Sequence, residues 1–202
     1  MIEQLAGALS RRKFIVLAGG SVAAAPLLAG CGSSANAGDG ETSEFGDGDV
    51  GILNYMLTLE HLQADFYAEL AKSSFFGPTG RKALGKFGEE ENEHISSLTK
   101  EVEKLGGEPV AKPETKFSLK SENSTLELAS ELENVGAAGY LGQLAKIESD
   151  PVLKTVLSIH SVEGSHAAAI NELLGEEFTP DGAFAKPQTA ESVLAAMEPF
   201  MA

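Results

Sequence analysis

From residue 49 onward, apolar and polar positions recur with the period of an α-helix in four long stretches. The first, from about Asp49 to Ser73, sets Leu53, Met56, Leu57, Glu60, Ala64, Tyr67 and Ala71 on one stripe, with Asp49 a suitable N-cap. Gly77-Pro78-Thr79-Gly80 turns the chain. A second helix, about 80 to 105, aligns Leu84, Phe87, Glu91, His94, Ile95, Leu98, Val102 and Leu105 and stops at Gly106-Gly107. Its other acids, Glu89, Glu90 and Glu93, point elsewhere. Ser124 and Glu127 have capping-box spacing and open a third helix to about Ile147, with Leu126, Ala129, Glu133, Ala137, Tyr140 and Leu144 in register. Asp150 as N-cap and Pro151 at the first helical position open a fourth. It carries Val152, Val156, Ile159, Glu163, His166, Ala167, Ile170 and Leu174 to an end near Gly175. Thr189 to Met201 reads as a short amphipathic helix that covers one end, and no strand pattern competes.

The connections set the topology. The segment from 107 to 123, with Pro109 and Pro113, reads as a connection. At about 3.3 Å per residue it reaches roughly 55 Å, longer than a 25-residue helix at about 1.5 Å per residue. It can cross a whole bundle, so the expected fold is all-α: two helical hairpins joined by a long crossover into a four-helix bundle, plus the short C-terminal helix. The hairpins also repeat. Residues 59–67 and 132–140 share the pattern L-E-x-[LV]-x-A-x-x-Y; His94 follows Glu60 by 34 residues and His166 follows Glu133 by 33.

That repeat carries the candidate chemistry. Glu91 and His94 lie one turn apart on the apolar stripe, Glu163 and His166 repeat them, and Glu60 and Glu133 occupy core positions on the partner helices. Counted from the turns, all six fall at nearly the same height, so they should meet in one layer. Four buried carboxylates are untenable alone, because each isolated charge costs several kcal/mol even after relaxation. Two divalent cations would balance them. Mixed carboxylate and imidazole ligands suit iron or manganese, and calcium fits less well.

Composition and charge narrow the setting. The 202 residues hold 15 basic and 30 acidic side chains, a formal balance of −15, with no basic patch that could track nucleic acid. A single cysteine excludes an internal disulfide. Arg11-Arg12 before Phe14 resembles a twin-arginine export signal, and Leu28-Ala29-Gly30-Cys31, after a mild apolar run, resembles a lipobox with Cys31 as the lipid attachment site. Cleavage before Cys31 removes Arg11, Arg12, Lys13 and Glu3 and leaves −17. The expected organisation is an export signal over 1–30, a flexible acidic tether over 31–48, the bundle over 49–174, and a C-terminal loop and capping helix over 175–202. The expected location is the extracytoplasmic face of a bacterial membrane, held by lipid.

Over about residues 49 to 174 the chain resembles the ferritin-like superfamily of di-metal carboxylate proteins, most closely the exported ferritin-like and desiccation-related proteins. The matching motifs are L-E-H-L at Glu60, E-x-x-H at Glu91, L-E-N at Glu133 and E-x-x-H at Glu163. The resemblance implies that Glu91 and Glu163 bridge two metals, with Glu60 and His94 on one and Glu133 and His166 on the other. Many relatives carry a glutamate where this chain has Gln63, so a third metal or access site built on that carboxylate is not expected.

Tyr67 and Tyr140 each follow a candidate ligand by seven residues and lean back toward it. In similar proteins such tyrosines hydrogen-bond to ligand carboxylates or carry an electron, which makes them candidate catalytic residues; a core tyrosine with a satisfied hydroxyl is the other reading. His61 falls off the ligand face, as an exposed residue or one behind the ligands, and His160 is half-buried or behind them. Phe75 and Phe76 plug the bundle end. The leading functional expectation is an envelope-anchored di-iron or di-manganese redox protein that reacts with oxygen or peroxide, as a ferroxidase or peroxide-reactive oxidoreductase. A protein that only holds metal, or a structural stress or desiccation-related envelope protein, is the alternative. A lipid-anchored homodimer is compatible with this; a closed cage is awkward.

Overall fold

A computed structural model describes residues 41–202; the export signal, Cys31 and the first part of the tether lie outside the described residues. The chain forms α1 (Gly48–Lys72), α2 (Pro78–Lys104), α3 (Glu122–Leu144), α4 (Asp150–Leu174) and α5 (Ala190–Met197). A 3-10 turn precedes α1 and another follows α5. The described residues contain no strand, only an isolated bridge between Thr115 and Met201. α1 packs chiefly on α2 and α3 on α4, and the two hairpins meet through α1 with α3 and α2 with α4. This is the expected pair of hairpins joined by a crossover.

Helix ends follow their capping chemistry, with shifts from expectation. α2 and α4 stop where Gly106 (φ 78°) and Gly175 (φ 75°) turn left-handed, letting the following amides reach back to Val102 and Asn171. At α3 the capping box is formed by Ser121 and Ser124 rather than Ser124 and Glu127. Asp47 and Ser149 occupy the N-cap positions expected for Asp49 and Asp150. Asp49 acts across the fold instead: its carboxylate accepts the backbone N–H groups of Glu148 (2.9 Å) and Ser149 (2.8 Å), fixing the α3–α4 turn to the start of α1.

α1 is buried on far more than the one stripe expected, because the crossover lies along its outer side. Asn54 donates to the Glu108 carbonyl (3.0 Å) and accepts the Val110 amide (2.9 Å). Asp65 accepts the Thr115 hydroxyl (2.9 Å) and pairs with Lys112. Phe117 packs edge-on against Phe66 and stacks on Phe200. Leu59, Leu62 and Phe66 are thereby fully buried between helices and crossover, and truncating such a leucine to alanine costs about 2–5 kcal/mol. Ala71 and Leu105, both placed on core stripes by periodicity, lie at helix ends and are exposed. Phe76 is buried and Phe75 packs beside the core at the α1–α2 turn, as expected.

The tether expected to run to Gly48 is fixed to the bundle from Glu41 onward. Thr42 is buried, Phe45 meets Tyr55 edge-on, and Glu41 pairs with Lys146 (2.9 Å) while accepting the Ala190 amide (3.0 Å). α5 lies against α3 and buries Ala190, Val193 and Met197, so it covers a flank of that helix. Among the described residues no helix is long and apolar enough to cross a membrane.

Candidate metal centre

The four long helices bring Glu60, Glu91, His94, Glu133, Glu163 and His166 into one buried layer. Two overlapping quartets emerge: Glu60, Glu91, His94 and Glu163 form one, and Glu91, Glu133, Glu163 and His166 the other. In each, one ligand atom per residue lies within 4.8 Å of all the others. Glu91 and Glu163 belong to both. The division into a shared pair and two flanking sets is the one the resemblance implied.

The donor set has more acceptors than protons to serve them. His94 Nδ1 faces Glu91 Oε2 at 3.1 Å and Glu60 Oε2 and Glu163 Oε1 at 3.2 Å, and one N–H cannot satisfy three carboxylates. His166 Nδ1 lies 3.0 Å from Glu91 Oε1 and 3.7 Å from Glu133 Oε2, yet it has no hydrogen-bond partner. Glu91 Oε1 and Glu163 Oε1 are likewise buried without partners. Orphaned buried acceptors and an orphaned imidazole nitrogen converging on common points fit cations held between them. Without metal, burial drives Glu60 and Glu133 up to about 7 and raises Glu163 as well. Burial pulls the histidines down, but the surrounding carboxylates outweigh it and lift His94 to about 12 and His166 to about 11.

Tyr67 and Tyr140 are both fully buried, and each hydroxyl donates to a ligand carboxylate: Tyr67 to Glu133 and Tyr140 to Glu60. Burial, followed by those carboxylates, holds both hydroxyls protonated well above the usual tyrosine value. Each is thus a core tyrosine whose satisfied hydroxyl is bonded to a candidate ligand, an arrangement common to both readings. Gln63 Nε2 donates to Glu163 (3.1 Å) and Glu133 (3.3 Å), so its amide supplies protons where a glutamate would add charge. Its counterpart in the second hairpin is Gly136, where a Cβ would stand 3.2 Å from Gln63 Nε2; the glycine leaves the amide its space.

Glu90 corrects the sequence reading. Expected to point away, it accepts from His166 Nε2 at 2.9 Å, while Phe87 stacks on the same imidazole at a centroid distance of 4.2 Å. That bond also holds Glu90 below the usual carboxylate range. A carboxylate holding the outer nitrogen orients Nδ1 inward. The available signal was Glu90's position three residues after Phe87 and four before His94, at the edge of the core stripe. The corresponding residue in α4 is Val162, which can offer His94 nothing similar. Glu89 and Glu93 are exposed, as expected. His61 is half-buried, outside the cluster, and its pKa is lowered by burial and by Lys112. His160 is half-buried beside the α3–α4 seam.

Comparison with known proteins agrees with this architecture. No curated protein matches the chain. The crystal structure of a conserved hypothetical protein from Mycobacterium tuberculosis is similar, with a TM-score of 0.56 at 17% identity, over 63% of this chain and 90% of that one; this likeness speaks for the fold alone. Residues 48–176, which span all four long helices and all six clustered side chains, match the ferritin-like domain, and the chain belongs to that family.

Proposed function

We propose that the protein holds two redox-active metal ions, iron or manganese, in the Glu/His layer and uses them in oxygen, peroxide or iron redox chemistry. The observation that carries this reading is the sharing of Glu91 and Glu163 between two quartets that each add one glutamate and one histidine. Such ions supply changes of oxidation state and coordination positions for oxygen or peroxide. The chain's residues do the rest. The carboxylates neutralise the charge, Tyr67, Tyr140 and Gln63 orient them, and the surrounding leucines keep bulk water away. The sequence at Arg11-Arg12 and Leu28–Cys31 supports export and lipid anchoring at the outer face of a bacterial membrane.

The test loads metal-free protein with Fe(II) and follows oxidation by oxygen and by hydrogen peroxide. Two ions per chain, oxidised faster than Fe(II) in buffer, are expected, with the gain reduced by Glu60→Ala. Two bound ions that oxidise no faster than free Fe(II) would turn the reading to metal holding without turnover. Native protein with no metal would overturn it. Mass spectrometry of the native membrane fraction checks the anchor; a mature N-terminus away from Cys31 rules it out.

A further inference from the structure

Gln63 on α1 is fully buried beside the Glu/His layer and brings a neutral amide to it. Its Nε2 donates to Glu163 Oε2 at 3.1 Å and to Glu133 Oε2 at 3.3 Å, while its Oε1 has no partner. The reverse orientation would press that oxygen against two carboxylates, so the nitrogen faces inward even though the oxygen is left unpaired. The two hairpins divide the work of placing this group. Position 63 corresponds in the repeat to Gly136 on α3, where a Cβ would stand 3.2 Å from Gln63 Nε2 and 3.4 Å from Glu163 Oε2. One hairpin supplies the amide and the other clears its space.

The charge of the layer closes at two divalent ions. Glu60, Glu91, Glu133 and Glu163 supply four negative charges, metal-bound imidazoles are neutral, and the Tyr67 and Tyr140 hydroxyls and the Gln63 amide add none. Glu90, behind His166, is partly exposed and shares Lys86 at 3.6 Å. Two trivalent ions would leave two positive charges without partners in a layer where Glu60, Glu91 and Glu163 have no exposure to solvent. Gln63 enforces this limit in two ways. It occupies with a neutral group a place where a glutamate would balance a fifth positive charge. Its N–H groups also draw electron density from two of the four carboxylates, which weakens their hold most on the more highly charged ion.

We propose that Gln63 determines the charge of the ions the layer accepts, selecting divalent over trivalent ones. This selectivity rests on the reading of the layer as a two-metal site and resides in a side chain that holds the ligands.

The test compares Mn(II) with Ga(III), a trivalent ion with no accessible change of oxidation state, so that binding is read apart from any turnover. Metal-free full-length protein is titrated with Mn(II), and with Ga(III) supplied as citrate, each against a chelator of known affinity. The wild type, Gln63→Glu and Gln63→Leu are compared by the ratio of the two affinities. A charge one side chain away, at an effective dielectric of about 20, favours each further unit of positive charge by about 10- to 100-fold, so Gln63→Glu should raise the Ga(III)/Mn(II) ratio by that factor. Gln63→Leu removes the donor without adding charge and should raise it roughly three- to tenfold. A purely structural role for Gln63 changes both affinities together and leaves the ratio alone. An unchanged ratio in Gln63→Leu overturns the proposal, whether or not Gln63→Glu folds, as does a folded Gln63→Glu whose ratio rises no further than that of Gln63→Leu. Two Mn(II) per wild-type chain with an unchanged ratio in the variants leaves the two-metal reading standing without this selectivity; a wild type that binds no Mn(II) removes both.

Discussion

Tyr67 on α1 donates its hydroxyl to Glu133 on α3, and Tyr140 on α3 donates to Glu60 on α1. The tyrosine of each hairpin thus serves a glutamate of the other, although within the sequence each follows its own hairpin's glutamate by seven residues. Tyr67→Phe should therefore weaken metal binding at the position containing Glu133 and His166, and Tyr140→Phe at the position containing Glu60 and His94. Loss of a buried hydrogen bond to a carboxylate costs about 1–3 kcal/mol, leaving the bundle folded. Chelator competition, with melting temperature as the control, checks the crossed pattern; an effect confined to the tyrosine's own hairpin contradicts it.

Glu91 and Glu163 stand in both quartets, whereas Glu60, His94, Glu133 and His166 each stand in one. Glu91→Ala or Glu163→Ala is expected to reduce bound metal at both positions. His94→Ala or His166→Ala should leave close to one ion per chain. Elemental analysis after equilibrium dialysis separates the two outcomes.

Only His166 has a carboxylate on its outer nitrogen. Removing such a partner typically costs about 10- to 100-fold in metal affinity. Glu90→Gln should therefore split two similar affinities into one weak and one strong, and Val162→Ala should leave both unchanged. Two-site fits to Mn(II) or Co(II) titrations give the answer.

Acid should favour the metal-free bundle. The folded-state values of Glu60 and Glu133 rise to about 7, so their stabilising contribution is full below the unfolded value near 4.5 and is lost as pH climbs through 7. The histidine contribution is full below about 6.5 and survives until the pH passes about 11 for His166 and about 12 for His94. The metal-free protein should melt higher at pH 5 than at pH 8. Metal binding must expel the histidine protons, so affinity rises with pH and loading at pH 7 releases protons into a weakly buffered solution. A metal-free melting temperature that rises from pH 5 to pH 8 contradicts the assignment.

Helical period was enough to bring the six clustered side chains to one height, because over the about three to four turns between each hairpin connection and its clustered residues a helix leaves little freedom in where a stripe residue points. It failed where burial comes from chain segments without a period. Nothing in the spacing of Asn54 and Asp65 announces that an extended crossover will lie over them, so α1 reads as one-sided when it is enclosed. Glu90 was misjudged for a related reason: it sits at the edge of its stripe, and whether an edge residue turns in or out depends on the neighbouring helix, here on His166. Capping positions slipped by one to three residues because serine and aspartate cluster at the helix starts and offer the backbone several equivalent partners.

The crossed pairing of Tyr67 with Glu133 and Tyr140 with Glu60 also bears on how the two halves find their alignment. Leucine-rich faces slide past one another at modest cost, and two hairpins of similar length could dock one turn, about 5.4 Å, out of step. In such an arrangement the carboxylates of one hairpin would press against the leucines of the other, with no hydroxyl, amide or imidazole opposite, at several kcal/mol for each stranded charge. The polar layer therefore acts as a key, much as a single buried asparagine fixes the alignment of a coiled coil. Metal or protons seat it, and the same residues that offer a binding site choose among otherwise nearly equivalent packings.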